Sequence, residues 1–218
     1  MPESRRPLLL GHRGTRAVKS IPENTFDSFD RALADGCDGF EFDVRLTSDG
    51  QPVICHDPRF GALQIASETA SRLAHLPHLK EVLSRYQRSA FLDIELKVSG
   101  LEAITLELLH RFPPRRGFVI SSFLPEVLGT LDAADSRVPL GLICESRSQL
   151  RAWKDLPTQY VILHQNLVAA ALVQELIEAG RKVFVWTVND PERMVLFRDL
   201  RIDGIISDDP ERLRRTLS

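Results

Sequence analysis

The sequence has few aromatic residues and almost no excess of one charge. Phe, Tyr and Trp make up 7% of the 218 residues, and 28 basic residues are balanced by 30 acidic ones, for a formal net charge of −2. Such a chain has neither the positive field nor the stacking surface of a general nucleic-acid binder. We therefore expect no nucleic-acid partner, and any anion must bind at a local site.

Cysteine is also scarce, since the chain has only Cys37, Cys55 and Cys144. Their odd number and wide spacing favour neither a disulfide framework nor a zinc knuckle, and they fit a reducing cytoplasm best. No apolar run is long enough to span a membrane, and the one near the amino end is far shorter than a signal-peptide core. These features predict a cytoplasmic protein without stable membrane insertion, and they leave the oligomeric state open.

Short apolar runs alternate with longer helical stretches, which is typical of βα units around a parallel sheet. The predicted strands cover residues 8–12, 39–45, 91–97, 117–121, 138–144, 160–164, 182–188 and 204–207. Helices are predicted over 24–34, 79–85, 101–111, 125–134, 146–156, 167–179 and 191–200, and Asp209-Pro210 resembles a further helix start.

Eight strands favour a TIM-type (β/α)₈ barrel, although a doubly wound open sheet gives a similar pattern. Residues 51–56 are predicted to form a short extension after the second strand, with Asp49-Gly50 as the turn. The sequence Asn24-Thr-Phe-Asp27 resembles a helix cap with an acid three residues on. The length and the 43% hydrophobic content predict one domain over residues 1–218.

Acidic and histidine side chains cluster where predicted strands end. Side chains two residues apart on a strand point the same way, so Glu41 and Asp43 can converge on one hard cation. The segment Leu92-Asp-Ile-Glu-Leu-Lys97 offers a second such pair. In barrels the carboxyl ends of the strands form the active site. The residues predicted at or near these ends are His12, Arg13, Glu41, Asp43, Glu95, Lys97 and Trp186, with His56 following the extension.

These residue types suit phosphodiester cleavage. A divalent cation held by three carboxylates polarises a phosphoryl oxygen, while two histidines deprotonate a nucleophile and protonate a leaving alkoxide. Arg13 offers a planar fork for phosphate oxygens, and Lys97 offers a point charge. Ligands that are all oxygen favour Mg²⁺ or Ca²⁺ over zinc, so we expect one such divalent cation.

The motifs resemble those of the glycerophosphodiester phosphodiesterase family, and the resemblance spans nearly the whole chain in the expected order. They are His12-Arg-Gly14, Pro22-Glu-Asn-Thr25, Glu41-Phe-Asp-Val44, Thr47-Ser-Asp-Gly50, His56-Asp57, Glu95-Leu-Lys97, Trp186-Thr-Val-Asn189 and Asp203-Gly-Ile-Ile-Ser-Asp-Asp-Pro210. The resemblance implies a barrel enzyme that uses one divalent metal to hydrolyse a glycerophosphodiester to glycerol 3-phosphate and an alcohol.

The resemblance also implies roles for individual residues. It makes Glu41, Asp43 and Glu95 metal ligands, His12 the general base and His56 the general acid, and it places Arg13 and Lys97 at the phosphate. In this family the glycerol hydroxyl beside the phosphodiester is thought to attack first, giving a cyclic phosphate that water opens. The chain departs from the family after His56, where residues 57–61 lack the usual Leu-x-Arg-Thr-Thr stretch and the insertion is short.

Several alternatives remain open at this level. Asn24 is either a helix cap or an orienting group, and Trp186 is either barrel packing or a wall of the glycerol pocket. A phospholipase D-like enzyme acting on lysolipids with a cyclic phosphate product would need an apolar lip, for which the candidates are Phe60, Leu63, Ile65, Phe123 and Leu124. A third class is a non-catalytic barrel that binds a phosphorylated ligand, against which the presence of both histidines and all three acids counts.

Overall fold

Eight parallel strands form a closed barrel in the computed structural model, which describes residues 6–218. The first strand pairs with both the second and the last, and this closes the sheet. The strands are β1 (Leu8–His12), β2 (Gly39–Leu46), β3 (Pro52–Ile54), β4 (Arg59–Phe60), β5 (Leu63–Gln64), β6 (Phe91–Leu96), β7 (Phe118–Ser122), β8 (Leu140–Cys144), β9 (Tyr160–His164), β10 (Lys182–Trp186) and β11 (Gly204–Ser207). All but β3, β4 and β5 belong to the barrel, so the predicted (β/α)₈ fold is confirmed.

Helices lie between consecutive barrel strands and after the last one. They are α1 (Phe26–Ala34), α2 (Leu79–Tyr86), α3 (Glu102–Arg111), α4 (Pro125–Ala134), α5 (Arg147–Leu150), α6 (Ala170–Glu178), α7 (Pro191–Asp199) and α8 (Pro210–Leu217). The predicted start of α8 is correct, because Asp209 accepts a hydrogen bond from the main-chain N–H of Arg212 and Pro210 is the first helical residue. No helix within residues 6–218 has the length and apolar character needed to cross a bilayer.

Side-chain alternation divides the core into two layers. On β2, the buried Phe40, Phe42 and Val44 belong to the large cluster formed with the surrounding helices. A smaller cluster, which includes Leu10 and Phe184, fills the barrel interior. Successive side chains of a strand face opposite sides of the sheet. On β2 and on β6, the residues that alternate with the outward-facing ones therefore point into the barrel. This alternation places acidic residues inside the barrel.

The segment between β2 and α2 contains the predicted extension. β3 runs antiparallel to β2, with Val44 opposite Ile54. The small hairpin of β4 and β5 follows, and two 3-10 turns, Ile65–Ser67 and Ala70–Leu73, lead to α2. Ile65 and Leu73 are buried in a separate small core under this segment. The short extension is therefore a packed unit at the rim of the barrel.

Two helix predictions need correction. The cap of α1 is Thr25, which accepts a hydrogen bond from Ser28 N while Ser28 Oγ accepts one from Thr25 N. Asn24 does not cap the helix, because its left-handed backbone (φ 59°) turns its side chain toward β2. The helix predicted over 146–156 is one α-helical turn followed by the 3-10 turn Arg151–Lys154, which carries the buried Trp153.

Candidate active site

Three carboxylates from two neighbouring strands meet at the carboxyl end of the barrel. Glu41 and Asp43 lie on β2 and Glu95 lies on β6, where it is paired in register with Asp43. One carboxylate oxygen of each lies within 4.8 Å of the others, and all three residues are buried. Oε1 of Glu41 has no hydrogen-bond partner within residues 6–218. A buried acceptor without a donor, beside two further carboxylates, fits a hard divalent cation.

Two cationic side chains flank Asp43. Nε of Arg13 lies 3.2 Å from Asp43 Oδ2, and Nζ of Lys97 lies 3.2 Å from Asp43 Oδ1. Lys97 also donates a hydrogen bond to Oε1 of Glu95 at 2.6 Å, and Arg13 donates through Nη1 to Glu23 at 2.6 Å. Both cations thus reach the acidic cluster from the side of the barrel mouth.

The acidic cluster has strongly perturbed electrostatics. Burial raises the pKa of Glu41 well above its usual range, and the charges of Asp43 and Glu95 raise it further. Burial and the charge of Asp43 raise the pKa of Glu95 to about 7. At Asp43 the effect of burial is outweighed by Lys97 and Arg13, which lower the pKa of that carboxyl. Three buried carboxylates this close repel one another when ionised, so a bound cation relieves a real electrostatic cost.

A fourth acid lies deeper in the barrel. Asp93 is two residues before Glu95 on β6, is paired in register with Glu41 and is 1% exposed. Its Oδ1 accepts a hydrogen bond from Ser121 Oγ at 2.6 Å, and burial raises its pKa to about 7. The sequence shows Asp93 in the second acidic pair, but the structure groups the other three acids as the cluster with mutual oxygen contacts.

The ring of His12 is held through Nδ1. Nδ1 lies 2.7 Å from Oδ1 of Asp208, and Nε2 lies 3.9 Å from Oε2 of Glu41. A ring nitrogen at hydrogen-bond distance from a carboxylate must donate, so the Asp208 contact places the proton on Nδ1. Nε2 is too far from Glu41 for a hydrogen bond and keeps its lone pair. His12 is 8% exposed and lines the cavity described below. Nε2 is therefore an acceptor on the side of the ring that faces the acidic cluster.

Asp208 is itself firmly positioned. Its Oδ2 accepts a hydrogen bond from Asn189 Nδ2 at 2.7 Å, and its Oδ1 accepts one from Arg16 Nη1 at 3.0 Å. Although burial opposes ionisation, the hydrogen bond and charge of His12, together with Asn189 and Arg16, lower the pKa of Asp208. The carboxyl is therefore ionised and able to stabilise a positive charge on the imidazole.

His56 lies across the cavity from the barrel core, after β3. Its Nδ1 is 2.7 Å from Oδ1 of Asp57, whose side chain is 74% exposed. The main-chain oxygen of His56 accepts a hydrogen bond from Arg45 Nε at 2.8 Å, which fixes the loop to β2. Burial lowers the pKa of His56, and the charge of Asp43 opposes that shift. The two histidines thus have different carboxylate partners, one partly buried and one exposed.

A cavity of about 250 Å³ joins these groups. The polar lining includes both histidines, Arg13 and Lys97, whereas the apolar lining includes Phe123, whose ring centroid is 5.7 Å from that of Trp186. The Trp186 indole N–H has no hydrogen-bond partner within the described part of the chain. The cavity can therefore take a ligand with a phosphate at one end and a small, partly apolar unit at the other.

The first loop supports the site from below. Asn24 Nδ2 donates a hydrogen bond to Asp43 Oδ2 at 2.8 Å, and Asn24 is 5% exposed. Gly14 (φ 82°) lets this loop pack on α1, since a Cβ atom there would lie 2.5 Å from the main chain of Ser28. Of the two interpretations of Asn24, the structure therefore favours the orienting group.

The structure brings together every site residue predicted from the sequence. His12, Arg13, Glu41, His56, Glu95, Lys97 and Trp186 line the cavity, and Asp43 lies beneath Arg13 and Lys97. The sequence analysis gives no site role to Asp208 and Asn189, although both lie in its motifs at the last two strand ends, and it does not single out Glu145, which lines the cavity after β8. Their position in the chain could have indicated a site role, because each of them follows the carboxyl end of a barrel strand.

The proposed apolar lip is dispersed in the structure. Phe123 lines the cavity, but Ile65 is 1% exposed inside the small core of the extension. Leu124 packs against the main core, and Phe60 lies 41% exposed against the ring of His75. These side chains do not form one continuous apolar surface around the mouth.

Comparisons with known proteins agree with this architecture. The chain matches the model of the glycerophosphoryl diester phosphodiesterase family over residues 12–81 and 64–212. It is 29% identical to a glycerophosphodiester phosphodiesterase of Caldanaerobacter subterraneus, covering 94% of this chain and 96% of that protein.

Two solved structures show the same fold over nearly the full length. A Silicibacter pomeroyi protein named for the same family has a TM-score of 0.88 at 25% identity, covering 100% of this chain and 94% of that one. An Oleispira antarctica phosphodiesterase, solved in complex with its product sn-glycerol-3-phosphate, has a TM-score of 0.84 at 26% identity, covering 97% and 96%. The chain is therefore an enzyme that belongs to the glycerophosphoryl diester phosphodiesterase family.

Proposed function

We propose that this protein hydrolyses glycerophosphodiesters to glycerol 3-phosphate and an alcohol, with one divalent cation and the two histidines as acid and base. The observation that carries the proposal is the convergence of His12, His56 and the acidic cluster of Glu41, Asp43 and Glu95 around one cavity. The product bound in the Oleispira antarctica structure is the product expected of this reaction.

The acidic cluster would hold the cation through Glu41, Asp43 and Glu95, whose all-oxygen donor set fits Mg²⁺ or Ca²⁺. When bound, such a cation supplies Lewis-acid polarisation of the phosphoryl group. Asn24 orients the Asp43 carboxylate by donating to its Oδ2. Arg13 and Lys97 bring positive charge to the same edge and would bind phosphate oxygens.

His12 acts as the general base in this scheme. Its Nε2 faces the cavity with the lone pair free, because Nδ1 donates to Asp208. In the first step His12 takes the proton of the substrate's attacking glycerol hydroxyl, and Asp208 stabilises the imidazolium that forms. In the second step His56, neutral after the first, takes the proton of the attacking water, and protonated His12 returns its proton to the glycerol oxygen that leaves as the cyclic phosphate opens.

His56 acts as the general acid and protonates the leaving alkoxide. Asp57 accepts from its Nδ1, and Arg45 holds its main chain. This assignment places the leaving alcohol on the side of the cavity that His56 occupies, next to the extension. The two steps need opposite proton transfers, and two histidines held by different partners can supply both.

The lysolipid alternative has less support than the leading function. A phospholipase D-like enzyme would need an apolar surface at the mouth, and the candidate side chains are dispersed. A non-catalytic barrel is disfavoured because the base, the acid and the acidic cluster are all present with hydrogen-bonded partners.

The first experiment is phosphorus NMR of the purified protein with glycerophosphocholine and glycerophosphoglycerol, run with Mg²⁺, with Ca²⁺ and with a chelator. We expect glycerol 3-phosphate only when metal is present. Turnover at the same rate in chelator would refute the metal dependence, and a cyclic phosphate that persists would favour the lyase-like alternative. No turnover of either diester would refute the proposed activity.

We also propose that the protein works as one domain in a reducing compartment, the cytoplasm. Cys37 and Cys144 are buried and Cys55 is half-buried, and all three are free thiols in the structure. Burial raises the pKa of Cys37 and of Cys144 to about 12, so these two thiols are poor nucleophiles.

A further inference from the structure

A second cavity of about 480 Å³ is lined by neighbours in the chain of residues that line the first, since Val98 follows Lys97 and Pro58 lies two residues after His56. Its lining includes Arg45 at the end of β2, Ser99 after β6, and Pro58 and Gln64 from the extension. Arg45 is two residues beyond Asp43 on the same strand, so its side chain leaves β2 on the side of the acidic cluster, about 6 to 7 Å further along. The second cavity thus continues the site outward from the metal ligands.

Arg45 connects this second cavity to the general acid. Its Nε donates a hydrogen bond to the main-chain oxygen of His56 at 2.8 Å. The two terminal nitrogens of the same guanidinium make no hydrogen bond or ion pair with another residue in the range 6–218. Arg45 is half-buried in the cavity lining. A fixed guanidinium with free donors is suited to oxygen acceptors on a ligand.

The rest of the lining mixes polar and apolar side chains, and it carries no carboxylate and no aromatic ring among the described residues. The side chains of Ser48, Gln64 and Ser99 form no hydrogen bond with another described residue and are exposed. Carboxylates of the neighbouring loop are engaged elsewhere. Asp49 accepts from Thr47 Oγ1 at 2.6 Å, and Glu68 lies 2.9 Å from Arg72.

This chemistry disfavours a cationic ligand. A quaternary ammonium group is held by aromatic faces or carboxylates, and the second cavity presents neither toward its interior. A ligand with several hydroxyls or a negative charge would instead accept hydrogen bonds from Arg45. Its hydroxyls could also form hydrogen bonds with the serine hydroxyls and with the Gln64 amide.

We propose that the second cavity holds the alcohol part of the substrate and that Arg45 selects polyhydroxylated or anionic alcohols over choline. The inference rests on the proposed function, because His56 as general acid must lie beside the leaving oxygen. The alcohol then extends past His56 toward the groove that Arg45 lines, while the glycerol unit lies in the first cavity near Phe123 and Trp186.

The test is kcat/KM of the metal-loaded wild-type enzyme for glycerophosphoglycerol, glycerophosphoinositol and glycerophosphocholine. We expect the first two to exceed the third by about tenfold or more, the scale of hydrogen bonds to a charged group. Equal values or a preference for choline would overturn the inference while leaving the proposed function intact. No turnover of any of the three would refute the proposed function and the inference with it.

Two variants separate selection from support of the loop. In Arg45→Gln the amide nitrogen takes the place of Nε, so a donor to the His56 oxygen is retained while the free guanidinium end is lost. In Arg45→Met both are lost. We expect Arg45→Gln to lower the ratio of glycerophosphoinositol to glycerophosphocholine turnover by about tenfold.

Arg72→Gln is the matched control, because Arg72 is an exposed arginine of the same extension that pairs with Glu68 outside the cavity lining. It should leave the substrate ratio at the wild-type value. Arg45→Met should lower kcat for all three diesters as well, by loosening His56. If Arg45→Gln lowers all three by the same factor and leaves the ratio unchanged, Arg45 only supports the loop and the inference is wrong.

Discussion

The contact between Asp208 and His12 gives the sharpest mechanistic prediction, tested by Asp208→Asn. The donor from Asn189 to Asp208 is fixed, whereas Arg16, whose side chain is 37% exposed, can turn into solvent. Asn189 cannot flip its amide, because its Oδ1 already accepts hydrogen bonds from Ser207 Oγ and from the main-chain N–H of Asp208, each at 3.0 Å. Its Nδ2 must therefore still face position 208 as a donor at 2.7 Å.

The consequence falls on the tautomer of His12. An asparagine at position 208 has one oxygen and one NH₂, and the oxygen must face Asn189. The NH₂ group then faces Nδ1 of His12, which becomes an acceptor and transfers its proton to Nε2. His12 keeps its position but loses the lone pair that faces the cavity. The same NH₂ faces Arg16, so that ion pair is lost as well.

We expect kcat to fall by about 10²- to 10⁴-fold, the range for losing a correctly protonated base. The assay is release of glycerol 3-phosphate at saturating metal, with thermal melting to show that the variant is folded. Nitrogen-15 NMR of the His12 ring should show the proton moved from Nδ1 to Nε2.

Asp57→Asn is the comparison, because Asp57 contacts His56 at the same 2.7 Å but has a side chain that is 74% exposed. Water can replace that contact, so we expect a loss of about tenfold or less. A folded Asp208→Asn enzyme within about threefold of wild-type kcat, or with the ring proton still on Nδ1, would refute the base assignment and its tautomer argument.

Three further predictions follow from the site. His12→Ala and His56→Ala should each lower kcat by about 10² to 10⁴ with metal still bound, measured by glycerol 3-phosphate release; near wild-type activity in either would remove that role. Metal at 100 times its Kd should increase the free energy of unfolding by about 2.7 kcal/mol and raise Tm by roughly 5 to 10 °C in thermal melting. The Glu95→Gln variant should show a smaller increase in Tm. Because the pKa of Glu95 is raised to about 7, protons compete with the ion below that pH, and affinity in calorimetry should be about tenfold weaker at pH 6 than at pH 8; equal affinities would contradict this.

The acidic cluster could be predicted from sequence because it depends on a local rule. Alternation along β2 and β6 sends Glu41, Asp43 and Glu95 to one face, and neighbouring parallel strands then bring the two pairs together in register. The positions of His12 and His56 follow from strand ends as well, since His12 is the last residue of β1 and His56 comes two residues after β3. Their partners in the structure differ because one histidine ends a barrel strand and the other lies in the extension.

The boundary between the first loop and α1 was less predictable, because one short segment both caps the helix and orients the Asp43 carboxylate. Asn24 and Thr25 are both good N-cap residues. Which of them caps α1 depends on Asp43, a residue far along the chain, whose carboxylate accepts from Asn24 and so draws it away from the helix. A propensity rule that considers only adjacent residues cannot include that contact.

Asp208 shows what closure of the barrel adds. The residue lies 196 positions from His12 in the chain, so no local pattern relates the two. Once the sheet is closed, however, β11 must lie beside β1, and the observed register pairs Gly11 with Ser207. The next residue on each strand is then His12 and Asp208, which meet at the carboxyl end of the barrel. In a doubly wound open sheet the same two strand ends need not be neighbours, so His12 would lack its partly buried carboxylate partner. The pairing of His12 with Asp208 is therefore a consequence of the closed topology and not of the motif that contains either residue.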